Sequence, residues 1–383
     1  MQVLVVIGTR PEAIKLAPVV KALRRSGDQF STRVCVTSQH REMLYPILEG
    51  FKIVPDYDLE IMSQGQSLNE IAARIFRLID PVLSDFQPDC LVVQGDTTTA
   101  MVASLAAFHT RVEVAHVEAG LRSHDLHLPF PEEMNRRVAD IVSSYHFAPT
   151  ETARQNLLEE GFSDGTIHVT GNTVIDALLE SVQMPLTQGI QSLPAVIEPG
   201  RKTVLVTAHR RESFGPPLND ICLAIRDIAA LYRDEVNIVF PVHFNPRVRE
   251  AVYPALGDIE NVMLVDPLDY FSFVHLMKAS HLILTDSGGI QEEAPSLGVP
   301  VLVMRDVSER MEAVDAGASL LVGTDRDRIV SEVTYLLDDE QAYRAMASVR
   351  NPYGDGKASE RIVEVMSSGL TRTSVAAARS AGN

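Results

Sequence analysis

Residues 282–298 read LILTDSGGIQEEAPSLG: a short apolar run, Leu282–Thr285, breaks into Ser287-Gly288-Gly289, and Glu292 and Glu293 follow. A short apolar run closed by turn residues is a buried strand, and the glycine turn opens the next helix. Missing side chains let a ligand approach the backbone there, and the free N–H groups of a helix start favour an anion. Successive helical residues point about 100° apart, so only one of the two glutamates faces the ligand. That one accepts hydrogen bonds from ribose hydroxyls; the other is expected to be solvated. Strand, glycine turn and acidic helix together describe a nucleotide-diphosphate site. A helix start serving stability alone is the alternative.

The same strand–turn–helix unit recurs along the chain. In the first half the apolar runs are Val3–Ile7, Val34–Thr37, Cys90–Val93, Val112–Val117, Tyr145–Ala148 and Ile167–Thr170. In the second half they are Val204–Thr207, Ile238–Val242, Val262–Val265, Leu282–Thr285, Val299–Met304 and Leu320–Val322. Continuous rather than alternating apolar runs mark strands buried on both faces, hence parallel sheets between helix layers. The reading is α/β, with two doubly wound Rossmann-like domains around a cleft. A length of 383 residues suits about two domains. The first is expected over 1–171 and the second, which binds the nucleotide, over 172–366. The loop-like stretch Gln183–Arg201 follows the junction. Ala358–Met366 reads as a final helix that packs back on the first domain, and 367–383 as a frayed tail.

Composition narrows the function. Net charge is −17, from 34 basic and 51 acidic residues, which argues against nucleic acid or an anionic membrane as partner. A small anion in a local basic pocket stays open. Cys35, Cys90 and Cys222 sit among aliphatic residues without metal spacing, so they read as small buried hydrophobes in a reducing compartment. MQVLVVIGTR has no basic segment before its apolar run, and no stretch approaches the ~18 apolar residues of a membrane span. The expectation is a cytoplasmic protein. No G-x-G-x-x-G follows a strand, so no dinucleotide cofactor is expected, and no metal. Gly354-Asp355-Gly356-Lys357 lacks the upstream glycine and strand of a phosphate loop.

Ligands of open parallel sheets bind at the carboxyl ends of the strands, so the residues there carry the chemistry. Val3–Ile7 ends in Gly8-Thr9-Arg10-Pro11-Glu12, with Lys15 a turn further on; Arg10 and Lys15 bring positive charge to that edge, or are a solvated pair. Asp96 and Glu118 stand at comparable positions after two different strands, and Glu132 lies nearby in PFPEEMNR. Asp96 alone would be only a helix cap. Three carboxylates form an acid/base cluster, in which crowding raises pKa values. His209-Arg210-Arg211 after Val204–Thr207 suits a diphosphate, unless it is a surface charge run.

Taken in order, GTRPEAIKLAPV, SQHREML, VVQGDTTTAMVASLAAF, HVEAGLRS, PFPEEMNR, TGNTVIDAL, TAHRRESFG, PVHFNP, TDSGGIQEEAPSLGVPVLVMRD and NPYGDG closely resemble the non-hydrolysing UDP-N-acetylglucosamine 2-epimerases of bacteria. The resemblance covers nearly the whole chain. It implies a glycosyltransferase-B architecture, interconversion of UDP-N-acetylglucosamine and UDP-N-acetylmannosamine for surface polysaccharide synthesis, and a homodimer. It places substrate contacts on Arg10, Lys15, Asp96, Glu118 and His209, and on Phe273 near the uracil. Further contacts fall on Ser287, Gly288, Gly289, Glu293 and Arg310. The catalytic carboxylates fall on Asp96, Glu118 and Glu132, with His209 at the diphosphate. Where the family commonly has Thr-Glu-Arg-Pro, this chain has Ser308-Glu309-Arg310-Met311, which should loosen the loop carrying Arg310. Leu268 stands where some relatives have glutamine near the uracil. Some members are activated by a second substrate molecule; His40–Tyr45 and His243 lie where that would be read, while Tyr45-Pro46 and Ser63–Gln66 differ.

The chemistry points the same way. No carbonyl acidifies the C2 proton of a pyranose, so inversion needs either temporary oxidation or loss of a leaving group. A cationic diphosphate site without a dinucleotide fingerprint favours loss and re-addition of UDP through a 2-acetamidoglucal. A UDP-sugar glycosyltransferase, a hydrolysing epimerase and a silent nucleotide-sugar sensor are the rivals.

Overall fold

The computed structural model describes residues 1–38, 41–63, 65–185, 200–308 and 310–368. His40, Gln64, most of the stretch Gln183–Arg201 and most of the tail lie outside the described residues. The chain divides into two compact units: Met1–Ala177 together with the chain from Gly354 on, and Leu178–Tyr353. The first unit thus runs past Gly171 into the helix Thr173–Gln183 and takes up the chain again after Tyr353.

The first unit is built on β1 (Gln2–Ile7), β2 (Ser31–Val36), β3 (Tyr57–Asp58), β4 (Cys90–Gln94), β5 (Glu113–Val117), β6 (Tyr145–Ala148) and β7 (Ile167–Val169). They lie in the order β3-β2-β1-β4-β5-β6-β7, every neighbouring pair parallel. The second unit has β8 (Lys202–Thr207), β9 (Val236–Pro241), β10 (Val262–Val265), β11 (Leu282–Thr285), β12 (Val301–Val303) and β13 (Ser319–Leu321). Their order is β10-β9-β8-β11-β12-β13, again parallel throughout. Every apolar run read as a strand overlaps one. The strand that the reading lacked, β3, is a polar edge pair joined to β2 through the backbone, so it carries no hydrophobic signal.

The second sheet shows why apolar runs mean parallel strands. Val204, Val206, Ile238, Phe240, Leu282 and Leu284 enter one core with Ile221, Ile225 and Ile228 of the helix Pro216–Leu231. The intervening Leu205, Val239 and Ile283, with Val301 and Val303, enter another core with Val274 and Met277. Each pleat sends alternate residues to opposite layers, and both layers are dry. Fully burying such a side chain contributes about 1.5–3 kcal/mol. Cys35, Cys90 and Cys222 are free and buried.

At the end of β1 the chain turns sharply into the helix Arg10–Arg25. A Cβ on Gly8 would lie 2.4 Å from Thr99 Oγ1 and 2.7 Å from its Cβ, so only glycine fits there. The last helix, residues 358–368, belongs to the first unit. Asp176 caps it from afar, accepting bonds from the Ala358 and Ser359 amides at 3.1 and 2.8 Å and from Ser359 Oγ at 2.6 Å. Its Ile362 and Met366 are fully buried.

Candidate active site

In each sheet the strand order reverses beside the unit's first strand, between β1 and β4 in one and β8 and β11 in the other. Such a switch point leaves a crevice at the strands' carboxyl ends. Gly8-Thr9 and Gly95-Asp96 stand there in the first unit, and Ala208-His209 and Asp286-Ser287 in the second.

In the first unit Glu118 is the most tightly held carboxylate. Lys15 Nζ donates to both its oxygens, at 2.6 and 2.7 Å, Asn172 Nδ2 donates at 3.2 Å, and Gln94 Nε2 donates as well. The residue is buried and has φ of +66°, a left-handed conformation that a side chain rarely adopts. Strain of that kind persists only where surrounding contacts enforce it, and it gathers at functional sites. Asp96 is different. Arg136 Nη2 lies 2.9 Å from its Oδ2, and Asn135 Nδ2 donates to its carbonyl at 2.9 Å. Burial raises its pKa, and the charges of Glu118 and Glu132 add to the rise, while Arg136 and Lys15 oppose it. Glu132 opens the helix Glu132–Val142, which also carries Asn135 and Arg136. Its neighbour Glu133 is an anchor: fully buried, it accepts bonds from the Ser123 amide at 2.9 Å and from Arg137 Nε at 3.0 Å. Burial works against its charge, but those donors hold its pKa below the usual range. Arg10 is exposed at the start of its helix.

A further carboxylate, Glu12, escaped the sequence reading. It is buried and accepts bonds from the Gly8 amide at 3.2 Å, the Thr9 amide at 2.6 Å and Thr97 Oγ1 at 2.9 Å. Burial pushes its pKa to about 7 against those donors. It caps the helix after β1 and ties that corner to the one after β4.

In the second unit the fully buried Asp286 organises the strand ends. Its Oδ2 accepts the amides of His209 and Arg210, both at 2.8 Å, and Oδ1 lies 3.2 Å from His209 Nδ1. Although burial opposes it, these donors lower the Asp286 pKa. The imidazole of His209 stacks on His243, 5.7 Å between centroids. Ser287 precedes the short helix Gly288–Glu293. A Cβ on Gly288 would lie 3.5 Å from Arg310 Nε and 3.6 Å from Arg210 Nη2, so two guanidinium groups flank this turn. A Cβ on Gly289 would meet no atom within 4 Å.

Neither glutamate of this helix is solvated, contrary to the expectation for one of them. Glu292 accepts a bond from Arg310 Nε at 2.8 Å, and Glu293 one from Tyr270 OH at 3.4 Å, and both are buried. The cause is that the helix is buried from Ile290 through Glu293, with Gly289 its open position. The Arg310 loop is also braced: Ser308 Oγ accepts the Arg310 amide at 3.0 Å and donates to Gln291 Oε1 at 2.6 Å. Phe273 is half-buried on the helix Tyr270–Ala279, against the core.

Asp286, Gln94, Asn172 and Arg136 were missed because nothing local distinguishes them; each acts on a residue far away in sequence. His/Cys/Asp/Glu clusters able to hold a metal ion are absent among the described residues, as is any helix long and apolar enough to cross a membrane.

A sequence model of the family described as UDP-N-acetylglucosamine 2-epimerase matches residues 21–367. Over 371 residues the chain is 56% identical to the UDP-N-acetylglucosamine 2-epimerase of Escherichia coli (strain K12), covering 96% of this chain and 98% of that protein. It is similar to the solved structure of UDP-GlcNAc 2-epimerase from Neisseria meningitidis bound to UDP-GlcNAc, with 48% identity, a TM-score of 0.85, and 96% and 99% of the two chains covered. It is also similar to the enzyme from Methanocaldococcus jannaschii in complex with UDP-GlcNAc and UDP, with 35% identity, a TM-score of 0.76, and coverage of 96% and 99%. The fold is glycosyltransferase-B-like, as in these neighbours.

Proposed function

The chain belongs to the UDP-N-acetylglucosamine 2-epimerase family of isomerases, and from that premise we propose that it interconverts UDP-N-acetylglucosamine and UDP-N-acetylmannosamine through a 2-acetamidoglucal. A carboxylate takes the C2 proton while the C1–O bond breaks and its electron pair leaves with UDP, forming the C1=C2 double bond. Protonation of C2 from the opposite face and return of UDP to C1 complete the inversion. The carrying observation is that carboxylates at neighbouring strand ends have unlike surroundings, which suits unlike roles. Asp96, whose pKa burial raises against the opposing charges of Arg136 and Lys15, holds and releases the proton with Glu132 as its counterpart. Glu118, saturated by Lys15, Gln94 and Asn172, stays anionic and orients the sugar. His209, Arg210 and Arg310 take up the charge of the departing diphosphate beside Gly288, a task worth several kcal/mol. Arg10 and Phe273 contact the phosphates and the uracil. The enzyme works as a cytoplasmic homodimer, without cofactor, and supplies surface polysaccharide synthesis.

Incubation with UDP-N-acetylglucosamine in deuterated water, followed by NMR, tests this reading. Deuterium at C2 of both intact nucleotide sugars is expected. Free N-acetylmannosamine with UDP would instead identify hydrolysis, and unlabelled substrate a glycosyltransferase or a binding protein. Asp96→Asn, Glu118→Gln and Glu132→Gln should each lower kcat by about 10²–10⁴-fold while leaving the fold intact by circular dichroism.

A further inference from the structure

Both ring nitrogens of His116 face acceptors. Nδ1 lies 2.6 Å from Asp140 Oδ1, and Nε2 lies 2.8 Å from the carbonyl oxygen of Gly95. A carbonyl has no proton to give, so Nε2 must carry hydrogen. Asp140 could donate to Nδ1 only if protonated, and Arg122 Nη2, 2.8 Å from its Oδ2, opposes that. Nδ1 therefore carries hydrogen too. We propose that His116 is a standing imidazolium buried beneath the Gly95-Asp96 turn, and that it acts as a positioning residue for Asp96 and Glu118.

The placement makes the role specific. Gly95 directly precedes Asp96, and Glu118 follows His116 by two residues, just past the end of β5, so one ring is bound to both strand ends that present acids. The side chains of His116, Asp140 and Arg122 have no solvent exposure. Asp140 reaches the ring from the helix Glu132–Val142, Arg122 from the segment after β5, and Glu160 closes the series 2.7 Å from Arg122 Nη2. His146, on β6, lies 2.9 Å from the Asp140 carbonyl through Nε2 and 3.4 Å from that of Thr166 through Nδ1. With one close acceptor it needs one proton, and burial lowers its pKa. Burial opposes charge on His116 as well, but the Asp140 ion pair and the bonds to Asp140 and Gly95 outweigh it, and its pKa is raised. A neutral ring would turn a lone pair on an acceptor and release the turn that carries Asp96.

The charge state is tested on the intact wild-type enzyme, independently of its activity. Long-range ¹H–¹⁵N spectra of histidine-labelled protein, with its 11 histidines, are recorded from pH 6 to 9 and assigned with His116→Gln and His146→Gln. Imidazolium shifts for His116 at every pH, beside a neutral His146, are expected. A pyridine-type nitrogen in His116 at pH 7.5 overturns the proposal. The kinetic part rests on the epimerase reading. In His116→Gln the acid limb of kcat/KM should move up by about one pH unit, because the carboxylates lose a nearby cation. There kcat should fall about tenfold with KM little changed. Asp140→Asn, which lets His116 lose a proton, should shift the limb in the same direction. Lowered thermal stability with an unmoved pH profile in both variants would reduce His116 to a structural role. A wild-type protein without epimerase activity would sink the function but leave the spectroscopic result standing.

Discussion

Asp96 and Glu118 follow adjacent strands, yet the side chains around them assign different work. Glu118 is surrounded by donors, whereas the proton affinity of Asp96 is a balance between burial and Arg136. Removing the cation 2.9 Å from Asp96 Oδ2 leaves burial and the neighbouring carboxylates opposed there by Lys15 without Arg136. Arg136→Gln should therefore raise the Asp96 pKa further and displace the acid limb of the rate profile to higher pH. Arg136→Lys, which keeps the charge but not the fork, should show a smaller displacement. Profiles of kcat/KM against pH for the two variants check this, and superimposable curves would count against the pairing.

At the scale of elements, the corner between β1 and the helix Arg10–Arg25 joins packing to protonation. Gly8 has no room for a side chain against Thr99, and the carboxyl that closes the corner, Glu12, is shut away from water. Its pKa rises from 4.5 to about 7 in the folded chain. The folded chain holds this proton more tightly than the unfolded one. Its stabilising contribution is therefore complete below pH 4.5 and is lost as the pH climbs to about 7. Glu12→Gln keeps an acceptor for the Gly8 and Thr9 amides but has nothing to titrate. Relative to wild type, the variant should gain stability between pH 5 and 8, by on the order of 3 kcal/mol at most. Urea midpoints at intervals of one pH unit measure it, and parallel curves would contradict the assignment.

At the scale of the whole molecule, the first unit is closed by a helix that arrives after the second has been built. Asp176 holds the start of that helix across 182 residues of sequence. Asp176→Ala strips three hydrogen bonds from a buried helix start and should destabilise the first unit by about 1–3 kcal/mol. Hydrogen exchange should show lost protection around Ile362 and Met366, with the amides of the second unit unchanged; unaltered protection at Ile362 would refute it. The sequence alone determined the two α/β units, because runs buried on both faces leave a pattern that local periodicity preserves. It also determined the family, through long motifs at the strand ends. Partnership was settled only in three dimensions. Lys15 meets Glu118 across 103 residues, and His116 meets both Asp140 and the Gly95 carbonyl. Asp286 orients His209 from 77 residues away. These pairings depend on which strands lie side by side at each switch point, and strand order is a property of the crossovers rather than of any one segment's composition. Burial of Glu12 and Glu292 has the same origin, since the atoms that exclude water from them come from other elements.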